Sequence, residues 1–390
     1  MDRREFLKTA AFTTAGVALA GLAESTVLAQ PSRADIASSG SGDTFGASIQ
    51  RQGGQSDEQA LLELEAIAGR RFDTVHQRMP WQSHLVNKYT EFAAGRGQVP
   101  ILSWFTRGRS GTVVWSDITA GKQDARIIAE ATALKSAGWP AYFCFHKEPE
   151  NEPWLGNASE WRAAHEHVYQ IFKSVGVTNA TIIACFMAPT FGGGNGGLNA
   201  WLPAHYDALG ADGYNRNLHG NWRTFENIFT PAHQAATALG RKWFVIEHGC
   251  VEGAAGQKGQ WFADATTAAK KWPELIATSY NNETGHTGKD NNMNYRVDTS
   301  QASVAGFRAM GAAPFFNPSQ TFFSVSGVQG PTGGGSGSGS GGSPASLPAP
   351  GNVHDRQHHR KHQGHHHRHH GLKRAHRKLA ARLSGGSLGS

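Results

Sequence analysis

Two glutamates that follow apolar runs carry the chemistry this chain can offer. The first closes Ala-Tyr-Phe-Cys-Phe-His-Lys-Glu-Pro, residues 141–149, and the second lies in Ile246-Glu247-His248-Gly249. Proline cannot donate to a sheet ladder, and the residue before it is biased toward extended backbone. The run therefore predicts a strand from Trp139 to Glu148 that delivers Glu148, still strand-like, at its end. Because strand side chains alternate, His146 is expected on the face of Glu148, with Lys147 pointing away. Two carboxyl groups, one protonated and one ionised, suit the cleavage of a glycosidic bond. One hands a proton to the leaving oxygen while the other attacks or supports the anomeric carbon. Trp81, Trp104 and Trp154 offer flat faces for sugar rings, and His146, Arg78 and Asn215 can address hydroxyls. Taken singly, each has a plainer reading: a solvated acidic turn for Glu148, packing for the tryptophans, a buried salt bridge to Lys147 or Arg78 for Glu247, and a backbone hydrogen bond at the rim for Tyr214.

The elements that must position these residues alternate strand and helix. Strands are expected at Thr44–Ile49, Phe72–Met79, Val99–Phe105, Trp139–Glu148, Thr181–Met187, Leu209–Asn215, Lys242–Gly249 and Leu275–Asn282. Helical spacing follows most of them, as in Asp57–Ala68 and Ser159–Val175, whereas the glycine-rich stretch Phe191–Ala204 reads as a long loop. Eight such units, with strands apolar on both faces, predict an α/β fold, a closed (β/α)8 TIM barrel, with chemistry at the C-terminal strand ends. Glu148 and Glu247 then end the fourth and seventh strands. No glycine-rich phosphate or dinucleotide fingerprint follows the first strand, and no cofactor or metal is expected.

The ends of the chain read differently. Paired Arg3-Arg4, then Phe6-Leu7-Lys8, a mild apolar stretch and Val27-Leu28-Ala29 predict a twin-arginine signal peptide over residues 1–29, hence a secreted protein. A disordered lead-in (30–43), the barrel (44–323), a Gly/Ser/Pro linker (324–353) and a His/Arg-rich tail (354–390) follow. The formal charge of +7 belongs to that tail, where nine Lys or Arg meet one acid; the folded part is near −1 and gives no reason to expect nucleic acid or another polyanion. Three readings of the tail stay open: a solvated chain, adhesion to an anionic cell-surface polymer that strengthens as the imidazoles charge, and zinc or copper binding. No stretch of the mature chain is long and apolar enough to span a bilayer. Cys144, Cys185 and Cys250 are too few for a disulfide framework.

From Phe45 to Met310 the chain resembles glycoside hydrolase family 26, which includes the endo-β-1,4-mannanases. The resemblance rests on Phe45-Gly46, Trp104, the histidine-rich approach to Glu148 with Trp154 beyond it, the Ser159–Phe172 helix, Asp212-Gly213-Tyr214-Asn215 and Ile246-Glu247-His248-Gly249. It implies a polysaccharide substrate, Glu148 as acid/base, Glu247 as nucleophile of a retaining mechanism, Tyr214 holding the nucleophile and Trp154 lining a sugar subsite. Lys147 stands where the mannanases have a histidine, and Tyr280 where a tryptophan is often found. A barrel that binds glycans or cell wall with little or no turnover is the alternative.

Overall fold

The computed structural model describes residues 42–108, 111–284 and 293–317. The expected signal peptide, linker and histidine-rich tail lie outside them. Within them, eight parallel strands close into a barrel: β1 Thr44–Ile49, β2 Thr74–Met79, β3 Val99–Trp104, β4 Ala141–Phe145, β5 Ala180–Met187, β6 Ala208–Asn215, β7 Trp243–Cys250 and β8 Leu275–Asn282. Each pairs with its neighbour in sequence, and β1 closes on β8. The TIM-barrel expectation is met.

Alternation along the strands sorts the core into two layers. Ile101, Tyr142, Cys144, Ile183, Phe244 and Ile246 fill the barrel as one buried cluster. The opposite faces, with Trp104, Phe143, Phe186 and Val245, pack with the surrounding helices in a second, larger cluster. Helix starts follow capping chemistry. Ser56 with Gln59, Asn87 with Thr90, and Asn157 with Glu160 form reciprocal boxes at helices Asp57–Ala68, Lys88–Gly95 and Ala158–Val175. The cap of the last is Asn157, since its side chain reaches two backbone N–H groups that Ser159, already inside the helix, cannot. The stretch expected as a long loop, Phe191–Ala204, instead holds the helical turns Gly194–Gly196 and Leu198–Trp201. Cys144, Cys185 and Cys250 are buried free thiols.

Two local irregularities position the site. β4 ends at Phe145, and His146 and Glu148 both take left-handed backbone (φ 41° and 55°), a conformation costly for non-glycine residues and common at functional sites. The expectation of a strand running through Glu148 is therefore corrected: the Pro149 bias toward extended geometry is overruled by hydrogen bonds from the His146 N–H to the Trp104 carbonyl (2.9 Å) and from the Glu148 N–H to the Cys185 carbonyl (3.0 Å). The second irregularity is a one-residue bulge in β7. Ala211 pairs with Val245 but Asp212 with Glu247, and on the other side Thr278 pairs with Val245 but Tyr280 with His248. Consecutive Ile246 and Glu247 thus both serve the barrel interior, and His248 turns outward against Phe225, Trp261 and Tyr280.

Candidate active site

Glu148 and Glu247 meet at the mouth of the barrel. One carboxylate oxygen from each, with one from Asp212, lie within 4.8 Å of one another. Three acids this close could hold a metal ion, but a cation from the chain already sits among them. The Lys147 Nζ is 2.6 Å from Asp212 Oδ2, 3.1 Å from Glu247 Oε1 and 3.5 Å from Glu148 Oε1. Lys147 was expected to point away; it points in, because two left-handed residues flank it and break the alternation of the strand. His146, expected beside Glu148, is turned into the protein. Its Nδ1 accepts the Thr106 backbone N–H (3.1 Å), and its carbonyl accepts the Trp161 indole N–H (3.2 Å). Burial pushes its pKa down to about 3, helped by Arg107 and Lys147, so it braces the turn as a neutral ring.

The two glutamates live in different surroundings. The Glu148 side chain is 21% exposed and accepts from the Asn151 amide (3.2 Å); that of Glu247 is 2% exposed. Tyr214 donates its hydroxyl to Glu247 Oε2. Around Oε1 stand Lys147, His76 Nδ1 at 3.4 Å and Arg78 Nη1 at 3.6 Å. Burial opposes ionisation of Glu247, yet Lys147 and Arg78, backed by His76 and Tyr214, outweigh it and hold the carboxyl well below its usual range. Burial pushes His76 itself down to about 3, and its Nε2 bonds Ser103 Oγ (2.8 Å). Burial would also strip the Lys147 proton, but Asp212, Glu148 and Glu247 together hold its pKa well above the ordinary value. Burial, with Glu247 and Glu148, holds the wholly enclosed Asp212 above the carboxylate range despite Lys147. Three acids share one buried ammonium.

Several residues expected to touch substrate are enclosed instead. Trp81 and Trp104 are buried and stacked on each other with ring centroids 4.0 Å apart, and the Trp104 indole N–H donates to the Trp81 carbonyl (3.2 Å), so neither face is open to a sugar. Tyr280 is buried, its hydroxyl donating to the Tyr295 carbonyl (2.5 Å). Asn215 is buried and holds the loop after β6 by accepting the Asn217 and Arg223 N–H groups. These four shape the site without lining it. Arg78, which pairs with both Glu247 and Glu283, reaches the mouth, and Trp154 is 66% exposed on the loop after β4. Lys147 entered the sequence reading only as a salt-bridge partner of Glu247, a contact the structure shows, and Asp212 and His76 were not picked out as parts of the site. For the last two a signal existed: Asp212 is two residues before Tyr214 on β6, and His76 two before Arg78 on β2, so each shares its partner's face.

Comparison with solved structures decides the architecture. A GH26 β-mannanase from Bacteroides ovatus superposes with a TM-score of 0.51 at 14% identity, covering 74% of this chain and 95% of that one. The two share the closed (β/α)8 barrel fold. A second solved structure, GH26C from a Muricauda species, gives a TM-score of 0.52 at 11% identity over 70% of this chain and 86% of that one. No protein-family model matches the chain. Among curated proteins it is similar to "Endoglucanase H" of Acetivibrio thermocellus, 26% identical over 287 residues, which are 68% of this chain. The chain spans about 30% of the length of that relative. Among the described residues no helix is long and apolar enough to cross a membrane.

Proposed function

We propose that this protein is a retaining endo-β-glycosidase in which Glu148 is the acid/base, Glu247 the nucleophile and Tyr214 the residue that orients it. The observation that carries the proposal is the approach of the Glu148 and Glu247 carboxylates, with oxygens within 4.8 Å at the ends of β4 and β7. A retaining pair needs about 5–5.5 Å between carboxyls, whereas an inverting pair needs roughly 6.5–9.5 Å to admit a water. The surroundings fit the division of labour. Glu247, enclosed among cations, is an ionised nucleophile at any working pH, while Glu148, partly open, can exchange a proton with a leaving group and then with water. Trp154 offers a face for a sugar ring at the rim. A β-linked glycan is the substrate class, with mannan the first candidate and glucan next; a structural neighbour is described as a β-mannanase and the curated relative as an endoglucanase. Export through the twin-arginine route and a tail that adheres to anionic surfaces extend this reading.

One observation favours a second reading. The Lys147 ammonium lies between the acids, 3.5 Å from Glu148 and 3.1 Å from Glu247, and a barrel whose carboxylates are already engaged by a cation of the chain could hold glycan without cleaving it. Incubation with a panel of β-mannans, β-glucans and xylans, scored by reducing ends and by proton NMR of the newly formed anomer, separates the two. Product with retained anomeric configuration supports the hydrolase. Binding with no product in any member of the panel supports the second reading.

A further inference from the structure

The loop after β6 builds a second feature beside Glu247. Between Tyr214 and Glu226 the sequence contains Arg216, His219 and Arg223 and no acid, a local positive excess that the near-neutral balance of the folded part conceals. Arg216, Asn217, Asn221 and Arg223 line one part of a cavity of about 260 Å³, which Tyr214 and apolar residues such as Pro189 and Ile228 complete. That volume lies just below the roughly 300–1,000 Å³ of pockets that enclose a whole small ligand, which suits one sugar unit. Among the described residues neither arginine ion-pairs with a carboxylate. The Arg223 guanidinium donates only to the Asn227 carbonyl (3.3 Å), and Arg216 lies over the Tyr214 ring, 5.7 Å from its centroid.

The loop is fixed in place. Buried Asn215 accepts the Asn217 N–H (3.3 Å) and the Arg223 N–H (3.1 Å), and the Trp261 indole N–H donates to the Arg223 carbonyl (3.0 Å). Asn217 and His219 are held in left-handed backbone (φ 46° and 54°), a conformation that the surroundings must enforce. Two guanidinium groups without acidic partners among the described residues, carried by a fixed backbone beside a sugar-sized hollow, match a negatively charged substituent, since the planar fork of arginine binds carboxylate and sulfate oxygens in pairs. Asn217 and Asn221 add amides for hydroxyls. Tyr214 joins this hollow to Glu247, because it is among the lining residues and its hydroxyl bonds the Glu247 carboxylate.

Building on the retaining-glycosidase reading, we propose that the substrate is an acidic β-glycan, with a sugar bearing a carboxylate or sulfate ester seated between Arg216 and Arg223. The test uses matched pairs: a uronic-acid-containing oligosaccharide and its carboxyl-reduced form, and a sulfated oligosaccharide and its desulfated form. The wild-type protein should cleave one acidic member with kcat/KM at least tenfold above its neutral partner, and which pair responds identifies the anion. In Arg216→Gln/Arg223→Gln that ratio should fall to near one, a loss of roughly 10- to 100-fold for charge-assisted hydrogen bonds. A ratio near one in the wild type, or one unchanged in the double variant, overturns the subsite and leaves the hydrolase standing. If neither member is cleaved, binding of the acidic and neutral forms to the wild-type protein is compared by calorimetry at low and high salt. Salt-sensitive preference for the acidic form keeps the subsite and sinks the hydrolase; no preference sinks the subsite. Arg216→Lys/Arg223→Lys, which keeps both charges, should retain part of the preference.

Discussion

Replacing Lys147 by methionine tests the centre of the site most directly. The change keeps an unbranched chain and removes one ammonium. It leaves Asp212 and Glu247, both buried, without their nearest cation at 2.6 and 3.1 Å. Stripping one partner from a buried ion pair costs about 3–5 kcal/mol, and at roughly 2–4 °C per kcal/mol for a domain of this size the melting temperature at pH 7 should drop by roughly 6 to 20 °C. The pH sign follows from the groups left behind. Lys147 is held above its ordinary value, so its own contribution persists below that value and is lost only in strong alkali. In the variant the stranded acids instead take up protons, so the deficit should shrink as pH falls toward 4. For activity, the Coulomb attraction at 3.1 Å is about 5 kcal/mol at an effective dielectric of 20, an upper figure. Even a third of that raises Glu247 by more than one pH unit at about 1.4 kcal/mol each. Because Glu247 is held well below its usual range in the parent, Lys147→Met should bring a new or higher acidic limb into the kcat/KM profile as the carboxyl returns toward its ordinary range, while Lys147→Arg should keep the parent's profile. Scanning calorimetry and a pH–rate profile read both effects. A Lys147→Met protein with an unmoved acidic limb and a melting temperature within about 2 °C of the parent would refute the reasoning.

Other outcomes follow from the same geometry. Glu148→Ala should lose about 10²- to 10⁴-fold on a natural glycan and recover in part with azide on an activated aryl glycoside, giving a β-glycosyl azide; failure of azide to be incorporated would count against the acid/base role. Tyr214→Phe removes the hydroxyl on Glu247 but keeps the ring stacked on Tyr295, centroids 4.8 Å apart, so kcat should fall by about tenfold or more. Its melting temperature should stay close to the parent's, and a large drop would make Tyr214 structural. Burial pushes Glu150 up to about 7 against hydrogen bonds from Thr190 and Met187, so its contribution to stability is complete below pH 4.5 and is lost as pH rises to about 7. Denaturant titrations should find Glu150→Gln gaining on the parent by up to about 3 kcal/mol across that window, and a constant difference would contradict the assignment. Gly213→Ala would set its Cβ 2.4 Å from Ile228 Cγ2 and 3.0 Å from the Phe229 ring, and should cost roughly 1–3 kcal/mol by pushing helix Phe225–Ala238 off β6.

The barrel was legible because its signals are long and repeated. Eight apolar runs separated by helical spacing admit few other closures, and the ends of β1 and β8 fall where the residues put them. The meeting of the two glutamates was legible for a related reason, since charged residues that end apolar strands in this fold must stand at one rim. Which neighbours face them was not. At β4 the alternation rule put His146 beside Glu148 and Lys147 outside, and two left-handed residues reverse it. At β7 the same rule cannot place Ile246 and Glu247 on one side, and a bulge does so. Neither residue type announces these departures: histidine and glutamate are not turn formers, and nothing in Val-Ile-Glu-His marks an extra residue. Trp81 and Trp104 illustrate the converse limit, because a tryptophan near a strand end reads as a sugar platform until its partner ring is found covering it.

The two irregularities are best understood together. A regular β4 would turn Lys147 out and His146 in; an unbulged β7 would turn either Ile246 or Glu247 out of the barrel. Only with both does one ammonium reach three carboxylates, and only then can Glu247 remain ionised with 2% of its side chain exposed. The left-handed residues cost of the order of 1–3 kcal/mol each, and the enclosed acids cost more unless paired. The supporting contacts are correspondingly dense: the Trp104 and Cys185 carbonyls fix the turn, while Thr106 and Trp161 fix His146 within it. His146→Ala should therefore act through the backbone. It removes no group that touches the acids, yet it frees the turn that aims Lys147 and Glu148. Its kcat should fall with that of Lys147→Met, and the double variant should lose much less than the product of the two single losses. Fully multiplicative losses would show that turn and ammonium act independently, and would separate the strained backbone from the charge it delivers.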